Sequence, residues 1–289
     1  MDWTERRERF RAILAGGRCF HPASVYDAIS ARIAEDLGFE IGMFSGSVGS
    51  MAVLGAPDLV VLTLSEFAAQ ANRICRAGNL ALLVDADHGY GNALNVRRTV
   101  EELETAGICA MSIEDTVLPR PYGPSGKPTL IAVEEGVGKM KAALSARQDR
   151  RLVIAGRTSA LAITGLDDAI RRARAYEAAG VDAMFLAGGA TPEAVEAVSS
   201  AIRIPLIIGG GSSGPLADLG WLGAHHVRVA LQTHAPFSAA VQGVYNTLKA
   251  LRDGTKPADL AGIAAPELMQ LVTRAADYRQ WTKDFLGGE

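Results

Sequence analysis

The chain has 289 residues, 48% hydrophobic and 21% charged, and 29 Lys and Arg against 32 Asp and Glu leave a net charge of −3. That length is ordinary for one α/β barrel, the apolar share can bury a large core, and the charged share argues against disorder. No basic block or Lys/Arg stripe with interleaved aromatics is present, so nucleic acid is not an expected partner. The first residues, Met1-Asp2-Trp3-Thr4-Glu5-Arg6-Arg7, hold no apolar signal run. Apolar stretches of about 5–8 residues fall far short of a membrane span. Cys19, Cys75 and Cys109 lie far apart, without metal-ligand or redox spacing, and are expected to be buried, reduced thiols of a cytoplasmic protein.

In chain order, one unit recurs: a helical stretch, a glycine, then a short apolar run. It reads AEDLGFEIGMF around Gly38, CRAGNLALLVD around Gly78 and ETAGICAMSIE around Gly107, and returns as EAAGVDAMFLA around Gly180 and WLGAHHVRVA around Gly223. A glycine after the last helical turn supplies the left-handed residue that closes a helix. Apolar runs without polar alternation suit parallel strands buried on both faces. The pattern predicts eight strands, near residues 19–22, 40–44, 80–84, 109–113, 152–156, 182–186, 204–208 and 226–230. Between them, the stretch 92–106 places Val96, Val100, Leu103 and Ala106 on one helical face.

The expected fold is therefore α/β, a (β/α)8 TIM barrel. An open dinucleotide-binding sheet would want G-x-G-x-x-G after the first strand, and none is there. Two segments stand outside the repeat. Residues 115–130, with four prolines and two glycines, read as a lid or binding loop. After Pro266, the residues Leu268, Leu271, Val272, Ala275, Tyr278 and Trp281 recur at helical spacing and need a surface to cover. The expected domains are a catalytic barrel at 1–250 and a C-terminal helical extension at 251–289, packing on the barrel or on a neighbouring subunit.

In such a barrel the strand C-termini and the loops after them form the active face. Strand two is followed by Ser45-Gly46-Ser47, with Asp58 further along the connection. Strand three leads into Asp85-Ala86-Asp87-His88-Gly89-Tyr90-Gly91. Strand four ends in Glu114-Asp115, strand five in Arg157, and His234 follows strand eight. Carboxylates from separate units that converge at one rim repel one another unless a cation lies between them. Hard oxygens without a His or Cys cluster suit Mg2+, or Mn2+, rather than Zn2+. One of Asp85 and Asp87 is expected to bind directly, the rest through water. Alternatively, Asp85 and Asp87 cap the following helix or pair with arginines, and Arg157 is a structural partner of the acidic cluster. His88 is expected to point away, His225 and His226 to be structural, and the glycine run 209–214 to be a flexible pocket wall.

The stretch Asp85–Gly91, with Ser45-Gly46-Ser47 before it and Ile113-Glu114-Asp115 after it, resembles the isocitrate lyase/phosphoenolpyruvate mutase superfamily. The likeness runs from about Ala23 to about residue 240. It implies an Mg2+-dependent barrel that forms or cleaves bonds beside a 2-oxo acid carboxylate. By that resemblance Asp58, Asp85, Asp87 and Glu114 match metal-shell positions, Ser45, Gly46 and Ser47 match the loop that binds the substrate carboxylate, and Arg157 matches a substrate arginine. It also implies a homotetramer, a dimer of dimers with exchanged C-terminal helices.

The lyase branches carry a catalytic cysteine in the loop after strand four. Here that stretch is Leu118-Pro119-Arg120-Pro121-Tyr122-Gly123, with no cysteine in the loop. The Lys/Asn-containing loop of the phosphonate-processing branches is missing too. What remains needs metal and positioning but little acid/base equipment. Decarboxylation of oxaloacetate, or a close 2-oxo diacid, through a metal-stabilised enolate fits this description. The chain also resembles the oxaloacetate decarboxylase branch at His234, in Gln232-Thr233-His234-Ala235, which matches a substrate-contacting histidine. Arg157 and His234 are thus the expected catalytic and substrate-binding pair. The alternatives are a C–C lyase of the methylisocitrate/dimethylmalate type and a barrel that binds 2-oxo acids without turnover.

Overall fold

Short apolar runs form eight parallel strands in the computed structural model, which describes residues 2–123, 126–209 and 214–287. They are β1 (Ala23–Ser24), β2 (Ile41–Phe44), β3 (Ala81–Asp85), β4 (Ala110–Glu114), β5 (Val153–Thr158), β6 (Ala183–Ala187), β7 (Leu206–Gly209) and β8 (Val227–Leu231). Each strand pairs in parallel with the next in sequence order. Phe20 closes the circuit by donating its N–H to Arg228 O and accepting from Ala230 N–H, both at 2.9 Å, in a parallel bridge to Val229. The first predicted strand, 19–22, thus contains the closing bridge, while the ladder to β2 follows at 23–24. The other seven agree with expectation to within two residues at either end.

The helices of the first compact unit, Met1–Thr233, begin with α1 (Thr4–Ala15), α2 (Ala28–Asp36), α3 (Gly46–Gly49), α4 (Leu64–Cys75) and α5 (Ala93–Ala106). They continue with α6 (Val133–Ala146), α7 (Ala160–Ile163), α8 (Leu166–Ala179), α9 (Pro192–Ala201) and α10 (Leu219–Ala224). The helix expected at 92–106 is α5. Asn92 caps it by accepting from the Leu94 and Asn95 N–H groups, and Val96, Val100, Leu103 and Ala106 form its buried face. Gly107 ends α5 and Gly180 ends α8 in the left-handed region, at φ 96° and 101°. Gly223 does something else. It lies inside α10, where a Cβ would come within 2.7 Å of Gly17 O, so its role is close approach.

Helix α1, which precedes the repeat, buries Phe10 and Leu14 in the cluster formed by the inward-facing Ile41, Met43, Leu83, Ala155, Phe185 and Val229. Its arginines reach backbone carbonyls of the surrounding units: Arg6 to Cys75 O at 2.5 Å, Arg7 to Ile108 O at 3.0 Å and Arg11 to Leu152 O at 3.2 Å. The proline-rich loop after β4 is tied at its base, where Thr116 and Leu130 form an antiparallel bridge and Val117 N–H donates to Thr129 O at 2.9 Å. Leu118-Pro119 is a cis peptide, and Tyr122 stands fully exposed beyond it.

The second unit, His234–Glu289, holds α11 (Ala235–Arg252), α12 (Pro266–Val272) and α13 (Ala275–Leu286). The stripe after Pro266 is two helices rather than one, because Arg274, at φ 59°, turns the chain between them. Cys19, Cys75 and Cys109 are free and buried, as expected. Among the described residues, no helix is long and apolar enough to cross a membrane. Phe10→Ala should cost about 3–5 kcal/mol, because it opens a cavity under the inner layer. Urea unfolding should show this as a lower midpoint with little change in slope.

Candidate active site

Side chains alternate along a strand, so the rows that fill the barrel interior also dictate what stands at its rim. On β2 the inward Ile41 and Met43 are followed by Ser45, and on β3 Ala81 and Leu83 lead to Asp85. On β4 Ala110 leads through the buried Ser112 to Glu114, and on β5 Val153 and Ala155 lead to Arg157. The same alternation turns Asp115 outward into the helical layer, where it is fully buried and accepts from Tyr176 Oη at 2.7 Å and Arg172 Nη1 at 2.9 Å.

The inward groups meet. Arg157 Nη1 pairs with Asp85 Oδ2, while its Nη2 lies 3.6 Å from Glu114 Oε2. The guanidinium carbon sits 5.3 Å from the centroid of the Phe185 ring, which backs it from β6. Thr116 Oγ1 donates to Glu114 Oε2 at 2.8 Å. Asp85 Oδ1 accepts from the Asp87 N–H at 3.1 Å. Asp87 itself lies in the left-handed region at φ 46°, which costs a non-glycine residue roughly 1–2 kcal/mol. Its carboxylate presses against Gly46, where an added Cβ would come within 2.7 Å of Asp87 Oδ1. Ser45 caps α3 by accepting from Val48 N–H at 3.2 Å, and its hydroxyl lies 3.0 Å from that of Ser47.

Crowding of like charge leaves a clear electrostatic signature. Burial, then the carboxylates of Asp85 and Glu114, push the Asp87 pKa up to about 8, with Asp58 adding to the effect and Arg157 opposing it. Burial also raises Glu114, although Arg157 pulls it back. For Arg157, burial works against the charge, but Asp85 and Glu114 outweigh it and hold the guanidinium firmly protonated. Burial, with Asp87 and Asp85 nearby, raises the Tyr90 phenol well above its ordinary value. Among the described residues, Tyr90 Oη and Arg157 Nε are buried without a hydrogen-bond partner.

Among the described residues, no three His, Cys, Asp or Glu side chains stand together at metal-ligand spacing. Mg2+ needs no such set, since it takes one or two carboxylates and keeps several waters. The donors present are hard oxygens, and the raised Asp87 marks a negative field that a cation would relieve. On both counts the residues fit Mg2+.

A family model described as phosphoenolpyruvate phosphomutase matches residues 10–252. The chain belongs to the phosphoenolpyruvate phosphomutase family. It is 58% identical over 287 residues to a protein named oxaloacetate decarboxylase from Rhodopseudomonas palustris (strain BisB18), with 99% of each chain covered. A solved phosphonopyruvate hydrolase complex with oxalate and Mg2+ is similar with a TM-score of 0.84 and 28% identity, covering 97% of this chain and 99% of that one. An oxaloacetate acetylhydrolase bound to the inhibitor 3,3-difluorooxalacetate gives a TM-score of 0.84 at 27% identity, with 98% of both chains covered. The superfamily inferred from the Asp85–Gly91 stretch is thus the right one.

Within this phosphomutase-family barrel, Asp85, Glu114 and Arg157 are in contact, and Asp87, Gly46 and Ser45 adjoin them. Asp58 sits in an exposed loop, yet its charge is felt at Asp87. His234 opens the second unit at the head of α11. Of the alternatives for Asp85 and Asp87, pairing with an arginine is seen for Asp85, whereas Asn92 takes the helix cap. The glycine run lies, at 210–213, outside the described residues. Sequence reasoning missed Thr116 and Phe185, which steady Glu114 and Arg157. Phe185 could have been found by extending the alternation to β6. The identity of Thr116 carries no comparable signal.

The native state holds the Asp87 proton more tightly than the unfolded chain, which releases it near pH 4. This contribution to stability is therefore complete below about pH 4 and is lost as pH rises through about 8. With a chelator present, Asp87→Asn should lose less stability than the parent between pH 5 and pH 8, on the order of the window set by this linkage. Denaturation midpoints across that range measure the difference in slope.

Proposed function

We propose that this chain is a carboxy-lyase that converts oxaloacetate, or a close 2-oxo diacid, to pyruvate and CO2. The observation that carries the reading is the full-length 58% identity to a protein named oxaloacetate decarboxylase. The cysteine-free loop supports it, since loss of CO2 leaves an enolate that solvent can protonate.

Arg157 binds one substrate carboxylate through its forked guanidinium, kept charged by Asp85 and Glu114 and backed by Phe185. Ser45, Gly46 and Ser47 receive a carboxylate at the loop after β2, and His234 contacts substrate as its match to the branch implies. Asp85, Asp87, Glu114 and Asp58 would hold Mg2+, or Mn2+, with one of Asp85 and Asp87 bound directly. Such an ion would supply Lewis-acid stabilisation of the negative charge that develops on the 2-oxo oxygen. The likeness to an oxaloacetate acetylhydrolase favours hydrolysis of the same substrate as a second reading.

The catalytic barrel spans residues 1–250, and the extension at 251–289 covers a neighbouring subunit in a cytoplasmic homotetramer. Support comes from α12 and α13, which leave Leu268, Leu271, Tyr278, Trp281 and Phe285 exposed. Sedimentation should show a four-chain particle, and a chain ended after Gly254 should sediment as a smaller one.

Purified protein with Mg2+ should form pyruvate and CO2 from oxaloacetate well above the metal-only background. Acetate and oxalate as products would establish the hydrolase instead, and cleavage of a methylisocitrate- or dimethylmalate-like acid would establish a lyase. Binding of oxalate with Mg2+ but no turnover of any panel member would leave a binding barrel. Arg157→Met should lower kcat/KM by about a hundredfold or more, with circular dichroism checking the fold.

A further inference from the structure

The turn that bears Asp85 and Asp87 is held by its carbonyls. Asp87 O accepts from the Glu114 N–H on β4 at 2.8 Å, and His88 O from Lys139 Nζ on α6 at 2.9 Å. Gly89 O accepts from Thr99 Oγ1 on α5 at 3.0 Å. Three consecutive carbonyls are thus fixed by three different elements. Two of the donors are neutral. The third is an ammonium group on a side chain that is only 3% exposed.

Burying a lysine is costly, and the usual solution is a carboxylate in direct contact. Among the described residues Lys139 has no such ion pair, and its ammonium donates instead to the His88 carbonyl. Burial accordingly lowers its pKa, while Glu135, Glu114 and Asp115 act at longer range to keep it charged. Packing alone at this position would be served by an apolar side chain. A buried charge spent on one backbone oxygen, next to a residue in the left-handed region, points to control of that turn.

We propose that Lys139 is a positioning residue, which fixes the His88 carbonyl and so keeps Asp87 left-handed with its carboxylate against Gly46, beside Asp85 and Glu114. It acts through the backbone and touches no substrate. The inference rests on the reading that Asp87 serves a bound Mg2+.

Lys139→Met removes donor and charge but keeps the apolar stem, whereas Lys139→Arg keeps both. Calorimetric titration with MgCl2 should show Lys139→Met binding about 10–100-fold more weakly than the parent, the usual range for loss of a residue that orients a ligand. Hydrogen exchange at the Glu114 amide, which reports its bond to Asp87 O, should quicken in the same variant. Lys139→Arg should restore both readouts most of the way, and Lys141→Met, exposed on the same helix, should change neither. A Lys139→Met protein that melts earlier but keeps its Mg2+ affinity and Glu114 exchange would show a merely structural lysine and overturn the proposal. If Lys139→Met does not fold, Thr99→Val decides, since it frees the neighbouring carbonyl: faster Glu114 exchange supports the clamp, and unchanged exchange with unchanged Mg2+ affinity refutes it. A parent protein that binds no Mg2+ sinks the proposed function instead, and Glu114 exchange still reports on the clamp.

Discussion

Side chains in a closed parallel barrel can point only inward or outward, and the placement of Ser45, Asp85, Glu114 and Arg157 at one rim follows from that restriction. Inward positions are apolar while they lie beneath the rim, as at Ile41, Leu83, Ala155 and Phe185. One step further along the same rows, Ser45, Asp85, Glu114 and Arg157 are polar, because the C-terminal face is where a ligand can enter. Closure by Phe20 against Val229 makes the restriction firm, since an open sheet could twist its last strands away.

The cost of this arrangement is electrostatic. Burial raises the protonation of Asp87 and Glu114, the neighbouring carboxylates add to it, and Arg157 opposes the rise at both. A buried ion pair of this kind contributes little net stability, because desolvation cancels most of the attraction. Its value lies in orientation. Phe185 backs the guanidinium and Thr116 steadies Glu114, so both are held before a ligand arrives. Preorganised charge is worth most in a water-poor site.

Much of this was legible from the chain alone. The helix–glycine–apolar unit reveals the strands, and the carboxylates at strand ends mark the active face. Periodicity could not show that Glu114 and its neighbour Asp115 serve opposite sides of the wall, one in the site and the other bonded to Tyr176 and Arg172. Nor could it show the break at Arg274, because the apolar stripe continues across it in register. Contacts such as that of Thr116 with Glu114 depend on how a loop leaves its strand, and loop paths have no periodic signal. Helix α1 was missed for a related reason. Its basic residues resemble a solvated surface, but Arg6 and Arg7 are buried against distant carbonyls.

Those arginines bear on how the molecule is made. Helix α1 is made before its partners, which include Cys75, Ile108, Leu152 and Asp182. Docking must wait until well over half of the chain has been synthesised, and contacts so distant in sequence form late. Until then Phe10 and Leu14 lack the layer that covers them in the finished barrel. A helix made ahead of the barrel is therefore among the last to settle, and a nascent chain stalled before β6 would present it to chaperones.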